Sequence, residues 1–414
     1  MRFIHIADVH LGVLPDAGMP WSEKRSHDIW NSFRMVIEQA KHQQVDLLLI
    51  AGDLFHRQPL KRELKEVAAW FAEISETEIV LIAGNHDYLH PKSYYQTFAW
   101  PENVHFLMKR DLQAVTLEHI HTTVYGCSFW NQEDGRTVYD AAGLQEALRH
   151  EKKSSNHKGQ PSFFYSTIPG SASSTHSIAS EEPYSSEIQM PDLRKNEDLN
   201  STGRRNYRIL LGHGGDDRHH PFRANDIVQA GFDYAAFGHI HKAAQLVPNR
   251  VIMAGSLEPT DCNDFGPHGF WMGELTEHGC KVSFYPIKKC EYICQEINVT
   301  PQLSFYAVSE LVQRTLQERE DYQISHIILH GYRDADTEMP TEQIVQMERV
   351  VRVVDQTEPD YQFDMLKQKY NGTLLQKYID VMEQCPNATL KKKSLYYGVQ
   401  AMMEAMEEGQ EKKG

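Results

Sequence analysis

The chain has 414 residues, 41% hydrophobic and 24% charged, with a formal net charge of −15. That is an ordinary globular composition, long enough for two or three domains and a sizeable core. It excludes a whole-surface attraction to nucleic acid, and no apolar run approaches the roughly 20 residues that span a bilayer. Six cysteines (127, 262, 280, 290, 294 and 385) form no CxxC pair, which predicts reduced thiols in a cytoplasmic protein rather than a disulfide frame or a zinc ribbon. The first residues enter a strand directly, with no leader pattern.

Residues 2–7 read as a strand that ends in Asp8-Val9-His10. Asp8 and His10 sit two apart, so an extended backbone points them the same way. His5, inside the strand, reads as a packed histidine. Ile29, Phe33, Val36, Ile37 and Ala40 recur at helical spacing within 22–43, which predicts a crossover helix. The run Leu47-Leu48-Leu49-Ile50-Ala51 is too short and too apolar for anything but a buried parallel strand. Gly52 turns the chain and leaves Asp53 at the strand's carboxyl end, the edge where open α/β sheets bind ligands. A helix over 61–75 leads to a strand at 79–83 and then to Gly84-Asn85-His86-Asp87. Three strand–turn units alternating with helices predict a βαβ sheet.

Shorter strands are predicted near 104–107, 114–117 and 121–126, and a helix over 140–150. Residues 151–205 are rich in Ser, Asn, Pro and charge and read as a flexible insertion. Strands at 208–212 and 234–238 then deliver His213 and the triplet His239-Ile240-His241. Strands near 244–247, 251–255, 269–275 and 281–287 are predicted to complete a second sheet. From about 290 the pattern gives a strand at 291–299, a helix at 302–319, a strand at 323–331, a helix near 340–348 and a strand at 349–355. Helices at 372–384 and 394–408 close the chain, with apolar stripes of Leu374, Leu375, Tyr378, Ile379 and Met382, then Leu395, Tyr396, Val399, Met402, Met403 and Met406.

In order, the strand ends carry Asp-x-His, Gly-Asp, Gly-Asn-His-Asp, Gly-His and Gly-His-x-His. Two carboxylates, an amide and several imidazoles suit Mn, Fe or Zn better than Mg or Ca. On these pieces the sequence resembles the calcineurin-like metallophosphoesterase superfamily, and within it the SbcD-type DNA-repair exonucleases, including the bacterial YhaO branch. The resemblance implies an α/β sandwich of two sheets flanked by helices over 1–290. It also implies a small α/β capping domain over 291–370 and a partner-binding helical tail over 371–414. Asp8, His10, Asp53 and His241 would hold one metal; Asp53, Asn85, His213 and His239 would hold the second, with Asp53 bridging. His86 would be the catalytic histidine, protonating or stabilising the reacting phosphate.

The implied function is a two-metal DNA exonuclease or endonuclease that acts on DNA ends, with manganese favoured over iron or zinc, and hydrolysis by a metal-bound hydroxide. Its implied partners are DNA and an SbcC-like SMC-family ATPase in a two-plus-two assembly, with a homodimer of this chain and no membrane. Phosphomonoesterase branches read Gly-Asp-x-x-Asp-Arg where this chain reads Gly-Asp-Leu-Phe-His-Arg, so His56 is expected to steer a DNA end toward the metals. A phosphatase, a cyclic-nucleotide phosphodiesterase and a regulatory subunit of an ATPase complex remain open alternatives. Arg57, Lys61, Arg62 and Lys65 form either a phosphate-binding patch or a solvated face. His219 and His220 read as surface residues, Cys290 and Cys294 as packing on one strand face, and Lys391–Lys393 as a solvated run. Glu258 sits in the loop Gly255-Ser256-Leu257-Glu258-Pro259 without an assigned role.

Overall fold

The computed structural model describes residues 1–154 and 205–411; the insertion expected over 151–205 lies almost wholly outside them. Two compact units emerge. The first comprises Met1–Leu14, Glu23–Thr260 and Pro267–Lys289; the second comprises Pro15–Ser22, Asp261–Gly266 and Cys290–Gly414.

In the first unit the elements run β1 (Arg2–Ile6), α1 (Ser22–His42), β2 (Leu47–Ala51), α2 (Lys61–Ala72), β3 (Glu78–Ile82), β4 (Val104–Phe106), β5 (Gln113–Leu117), β6 (Thr122–Gly126), α3 (Ala141–Ser154), β7 (Tyr207–His213), α4 (Ala224–Ala230), β8 (Tyr234–Gly238), β9 (Ala244–Val247), β10 (Val251–Met253), β11 (His268–Thr276) and β12 (Gly279–Ile287). They build two six-stranded mixed sheets, ordered β12-β11-β1-β2-β3-β4 and β5-β6-β7-β8-β10-β9.

Strand alternation explains the layering, because successive side chains face opposite ways. Ile4, Ile6, Leu48, Ile50, Ile79 and Leu81 meet Ile29, Phe33 and Ile37 of α1 and Leu64, Val67 and Phe71 of α2. The intervening Phe3, Leu47, Leu49, Val80 and Ile82 face the second sheet's Val124, Ile209, Leu211, Tyr234, Ala236 and Ile252. The far side of the second sheet packs Leu144 of α3 and Ile227 of α4 against Leu210, Ala235 and Phe237. Helix, sheet, sheet, helix is therefore the order of layers.

The strands at 268–287 differ from expectation. They do not extend the second sheet: β11 pairs antiparallel with β1, Arg2 opposite Glu274 and Phe3 opposite Gly273, and β12 continues outward. Phe3 explains the fit, since a Cβ at Gly273 would strike its ring. A glycine in that strand lets the aromatic side chain lie across the neighbouring backbone.

The second unit carries a parallel three-stranded sheet, β13 (Glu291–Val299), β14 (Gln323–Asp334) and β15 (Val350–Asp360). Ile297, Val299, Ile327 and Leu329 pack on Val308, Val312 and Leu316 of α5 (Phe305–Gln317) and on Ile344 of α6 (Thr341–Val345). Then follow α7 (Phe363–Lys369), which periodicity does not indicate, α8 (Leu374–Glu383) and α9 (Ala388–Glu411). Leu375, Ile379, Leu395 and Val399 form the core of α8 and α9, so most of the tail's apolar stripe is consumed within its own unit. Leu374, Val381 and Tyr397 stay more than half exposed. Cys290 is buried but Cys294 is exposed, so the two do not share a packed face. Among the described residues no helix is long and apolar enough to cross a membrane.

Candidate metal centre

The carboxyl ends of β1, β2, β7 and β8, with the turn after β3, bring the marked residues together. Asp8, Asp53 and His213 are fully or nearly fully buried and offer ligand atoms within 4.8 Å of one another; the ligand atoms of Asp8, His10 and the partly exposed His241 lie equally close. His213 Nε2 lies 3.5 Å from Asp53 Oδ2 and 2.9 Å from Asn85 Oδ1, and His239 Nδ1 lies 3.0 Å from the same amide oxygen. His10 Nε2 is 3.9 Å from Asp53 Oδ2 and 3.1 Å from His241 Nε2. Asp53 stands between the two groups, within reach of both.

The backbone is bent to achieve this. Asp8, His10, Asp53 and His239 all have positive φ, at 49°, 53°, 50° and 100°. Non-glycine residues hold such conformations at a cost of order 1–3 kcal/mol each, and they cluster at functional sites. Gly84 is required by contact: a Cβ there would overlap the Asp53 carboxylate. Asp87, to which no motif assigns a role, braces the turn. It accepts hydrogen bonds from Gly84 N (2.8 Å), Phe55 N (3.2 Å) and Tyr95 Oη (2.7 Å). His86 N donates to Asp53 Oδ1 at 2.8 Å, and His239 N donates to Asp8 Oδ2 at 2.8 Å.

The donor set fits cations. His213 Nδ1–H donates to Ala51 O at 2.8 Å, which turns Nε2 toward Asp53. Thr260 Oγ1 lies 3.3 Å from His241 Nδ1; accepting from it leaves Nε2 as the lone-pair nitrogen. Two imidazole Nε2 atoms facing each other at 3.1 Å (His10 and His241) require a proton or a cation beside them. Burial pushes His10 well below its usual pKa and His239 down to about 4, so both rings are neutral, as ligation demands.

His213 behaves differently. Burial alone would lower it, but the Asp53 carboxylate outweighs burial and raises it, while Asp53 itself is held low by His213. These two form a buried ion pair, and a cation bound between them would take the place of the imidazolium proton. The sign follows: below the raised His213 pKa, the proton competes with the metal. Apparent Mn²⁺ affinity is expected to fall by about tenfold per pH unit on acidification through neutrality, one proton being released per binding event. Affinities measured at three pH values spanning neutrality check this, and a pH-independent constant would contradict it.

A triangle of imidazoles flanks the centre. His10, His56 and His86 have ring centroids 4.8–5.3 Å apart, and His56 and His86 stack at 30°. His86 Nδ1–H donates to His56 O at 3.2 Å. Burial, followed by the neighbouring His86 ring, lowers the His56 pKa. Arg57 is not a free phosphate ligand: its guanidinium meets Glu63 at 2.7 Å. Lys392 likewise pairs with Glu358 at 3.0 Å. His5 is fully buried, bonds Tyr234 Oη at 2.9 Å and is pushed down to about 3 by burial.

Two histidines expected at the surface are not there. His220 is buried; it stacks 4.2 Å from the Phe129 ring and lies 3.5 Å from Asp134 Oδ2. His219 is mostly covered, its ring 4.3 Å from that of His239. Paired polar residues in a loop look like surface in a sequence, because the aromatic partner that covers them is remote.

Glu258 acquires a structural role. Its carboxylate accepts from Arg25 Nη1 at 3.1 Å and Ser32 Oγ at 2.6 Å, and Arg25 Nη2 also binds Pro259 O at 2.9 Å. Both side chains are at most 3% exposed. The pair pins the loop that carries Thr260 beneath His241. Glu258→Ala would strand the arginine's charge, an uncompensated burial worth about 3–5 kcal/mol. The low end is expected, because Asp28 remains 3.8 Å from the guanidinium. Urea unfolding of metal-free protein measures it; an unchanged midpoint would contradict the assignment.

Two sheets packed face to face, with carboxylates, an amide and imidazoles gathered at their strand ends, define a metal-dependent phosphoesterase. The family model for calcineurin-like phosphoesterase matches residues 1–243, more than half of the chain, and the chain belongs to that family. It is 25% identical over 331 residues to a protein of Bacillus subtilis (strain 168) named "Uncharacterized metallophosphoesterase YhaO", covering 77% of this chain and 68% of that one. It is also 39% identical over 90 residues to the DNA double-strand break repair protein Mre11 of Archaeoglobus fulgidus, and 38% identical over 89 residues to that of Aeropyrum pernix. Each of these matches spans only about a fifth of either chain: 21% of this one, and 19% and 21% of the relatives.

Proposed function

We propose that this chain is a two-ion phosphodiesterase that processes DNA ends, with manganese as the working metal and iron or zinc compatible with the same donors. The observation that carries this reading is Asp53, buried between two convergent donor groups and flanked by the His10, His56 and His86 rings. Asp8, His10, Asp53 and His241 would hold one ion; Asp53, Asn85, His213 and His239 would hold the other. Bound there, two divalent ions would neutralise phosphoryl charge and make water nucleophilic near neutral pH.

The chain's own groups do the rest. The buried carboxylates cancel part of the ionic charge and leave room for one anionic phosphodiester. His86, oriented by its Nδ1–H bond to His56 O, presents Nε2 to a phosphoryl or leaving-group oxygen, as a general acid or hydrogen-bond donor. His56, half-buried and stacked on His86, steers the nucleic-acid end. Similarity to Mre11 proteins over about 90 residues supports DNA over small esters, as does histidine rather than aspartate at position 56.

In the same reading residues 291–370 cap the nuclease unit and 371–414 dock an SbcC-like ATPase in the cytoplasm, as a two-plus-two assembly in which this chain is a homodimer. The exposed Leu374, Val381 and Tyr397 offer apolar contacts for that docking. Deleting 371–414 is expected to abolish capture by such an ATPase, and undiminished capture by the folded remainder would contradict the docking role. Purified protein with Mn²⁺, given linear duplex DNA, single strands and para-nitrophenyl phosphate esters in parallel, tests the activity. Turnover of DNA from its ends supports the reading. Turnover of the small esters alone, with or without the ATPase, would make the protein a phosphatase or a small-molecule phosphodiesterase.

A further inference from the structure

Just after His213 the chain makes a turn that no ligand needs for itself. Gly214 and Gly215 have φ of +135° and +132°, and a Cβ at Gly214 would collide with His219 O. This pair folds the segment back, so that Gly215 N donates to His219 O at 2.8 Å. The fold places the Asp216 carboxylate against the outer edge of His239. Asp216 Oδ2 accepts from His239 Nε2 at 2.8 Å, on the opposite side of the ring from Nδ1, which lies 3.0 Å from Asn85 Oδ1.

The carboxylate is itself held in place. Its Oδ1 accepts from the backbone N of Arg218 (2.8 Å) and of His219 (2.9 Å), and His219 Nδ1 lies 2.8 Å from it. The His219 ring also packs 4.3 Å from His239.

We propose that Asp216 is a positioning residue for the metal centre: it holds His239 in the Nε2–H tautomer, with the Nδ1 lone pair directed at the second ion, and His219 buttresses it. The inference rests on the reading that His239 is a ligand of that ion. An imidazole that ligates through one nitrogen is fixed by what its other nitrogen donates to, and losing such a partner typically costs 10–100-fold in metal affinity. A carboxylate is the strongest neutral-pH acceptor for that N–H. It also makes the ring more basic and so a better donor. His239 needs this more than His213 does, because His213 is already oriented by a backbone carbonyl.

The test is a Mn²⁺ titration of full-length, EDTA-stripped protein, with free ion counted by electron paramagnetic resonance and folding checked by thermal unfolding in EDTA. Wild type is expected to bind two ions. Asp216→Ala is expected to weaken one of them by about 10–100-fold and leave the other unchanged. Asp216→Asn, whose single carbonyl oxygen can serve either the backbone amides or His239 Nε2 but not both, is expected to weaken the same ion, and it serves if the alanine variant does not fold. A merely structural role would lower the unfolding temperature without splitting the two affinities. Two ions at wild-type affinity in either folded variant, or equal weakening of both, overturns the proposal. So does a third ion in wild type that Asp216→Ala alone removes, which would make Asp216, His219 and His239 a cation site of their own. If wild type binds fewer than two ions, the two-ion reading fails in the wild-type arm itself, and this inference falls with it.

Discussion

Asp53→Ala is expected to empty both metal positions and to remove hydrolysis by more than about 1,000-fold, the scale lost with even one preorganised electrostatic group. The carboxylate reaches both donor groups: His213 Nε2 at 3.5 Å and His10 Nε2 at 3.9 Å from the same Oδ2. Its other oxygen receives the His86 amide at 2.8 Å, so the substitution also releases the turn after β3. Without it, His213 loses the larger of the two carboxylate charges that raise its pKa, Asp8 remaining 4.0 Å away, and burial pushes the ring toward the neutral form. The variant should therefore fold, because the costly buried pair disappears as a unit instead of leaving a lone charge. Metal content after dialysis against Mn²⁺ measures the effect. Two ions per chain in the Asp53→Ala protein would mean that Asp53 does not bridge.

His86→Ala separates chemistry from metal binding. The ring contacts His10 and His56 edge and face, and its Nδ1 is engaged by a backbone carbonyl. No side-chain atom of His86 belongs to either of the two proposed four-residue ligand sets. Both ions should remain at wild-type affinity while kcat falls by about 100- to 10,000-fold, the range for a positioned proton donor. His56→Ala is expected to act differently, raising KM for DNA more than it lowers kcat. Loss of a metal from the His86→Ala protein would instead place His86 in the ligand shell, which the proximity of His10, His56 and His86 permits geometrically.

Much of the centre could be located from sequence because the fold repeats one local device. An apolar strand of five residues or so ends in a tight turn, and the residue at the turn is polar for a reason. Periodicity finds the strand, and its end finds Asp8, Asp53, Asn85, His213 and His239 together. The alternation of Leu47 through Ile50 even encodes both cores, one face for the helices and one for the second sheet.

What escaped was non-local. That β11 joins β1 depends on Phe3 fitting over Gly273, a match between residues at opposite ends of the first unit. Asp216 and His220 lie in a polar, charged loop whose composition reads as solvent-facing; their burial or engagement comes from His239, Phe129 and Asp134. The Gly214-Gly215 pair was the available signal that the chain turns sharply before Asp216, since glycine adopts positive φ without steric cost. Glu258 had no local signal, because its partner Arg25 is on α1.

A binuclear centre bridged by Asp53 is tested most directly by crystals of the full chain soaked with Mn²⁺ and measured at the manganese absorption edge. Two anomalous peaks are predicted, about 3.5–4 Å apart, the separation of two-metal phosphoryl-transfer sites, with Asp53 touching both. One peak should lie against Asp8, His10 and His241, the other against Asn85, His213 and His239. A single peak, or a pair held elsewhere with Asp53 touching neither, would contradict it.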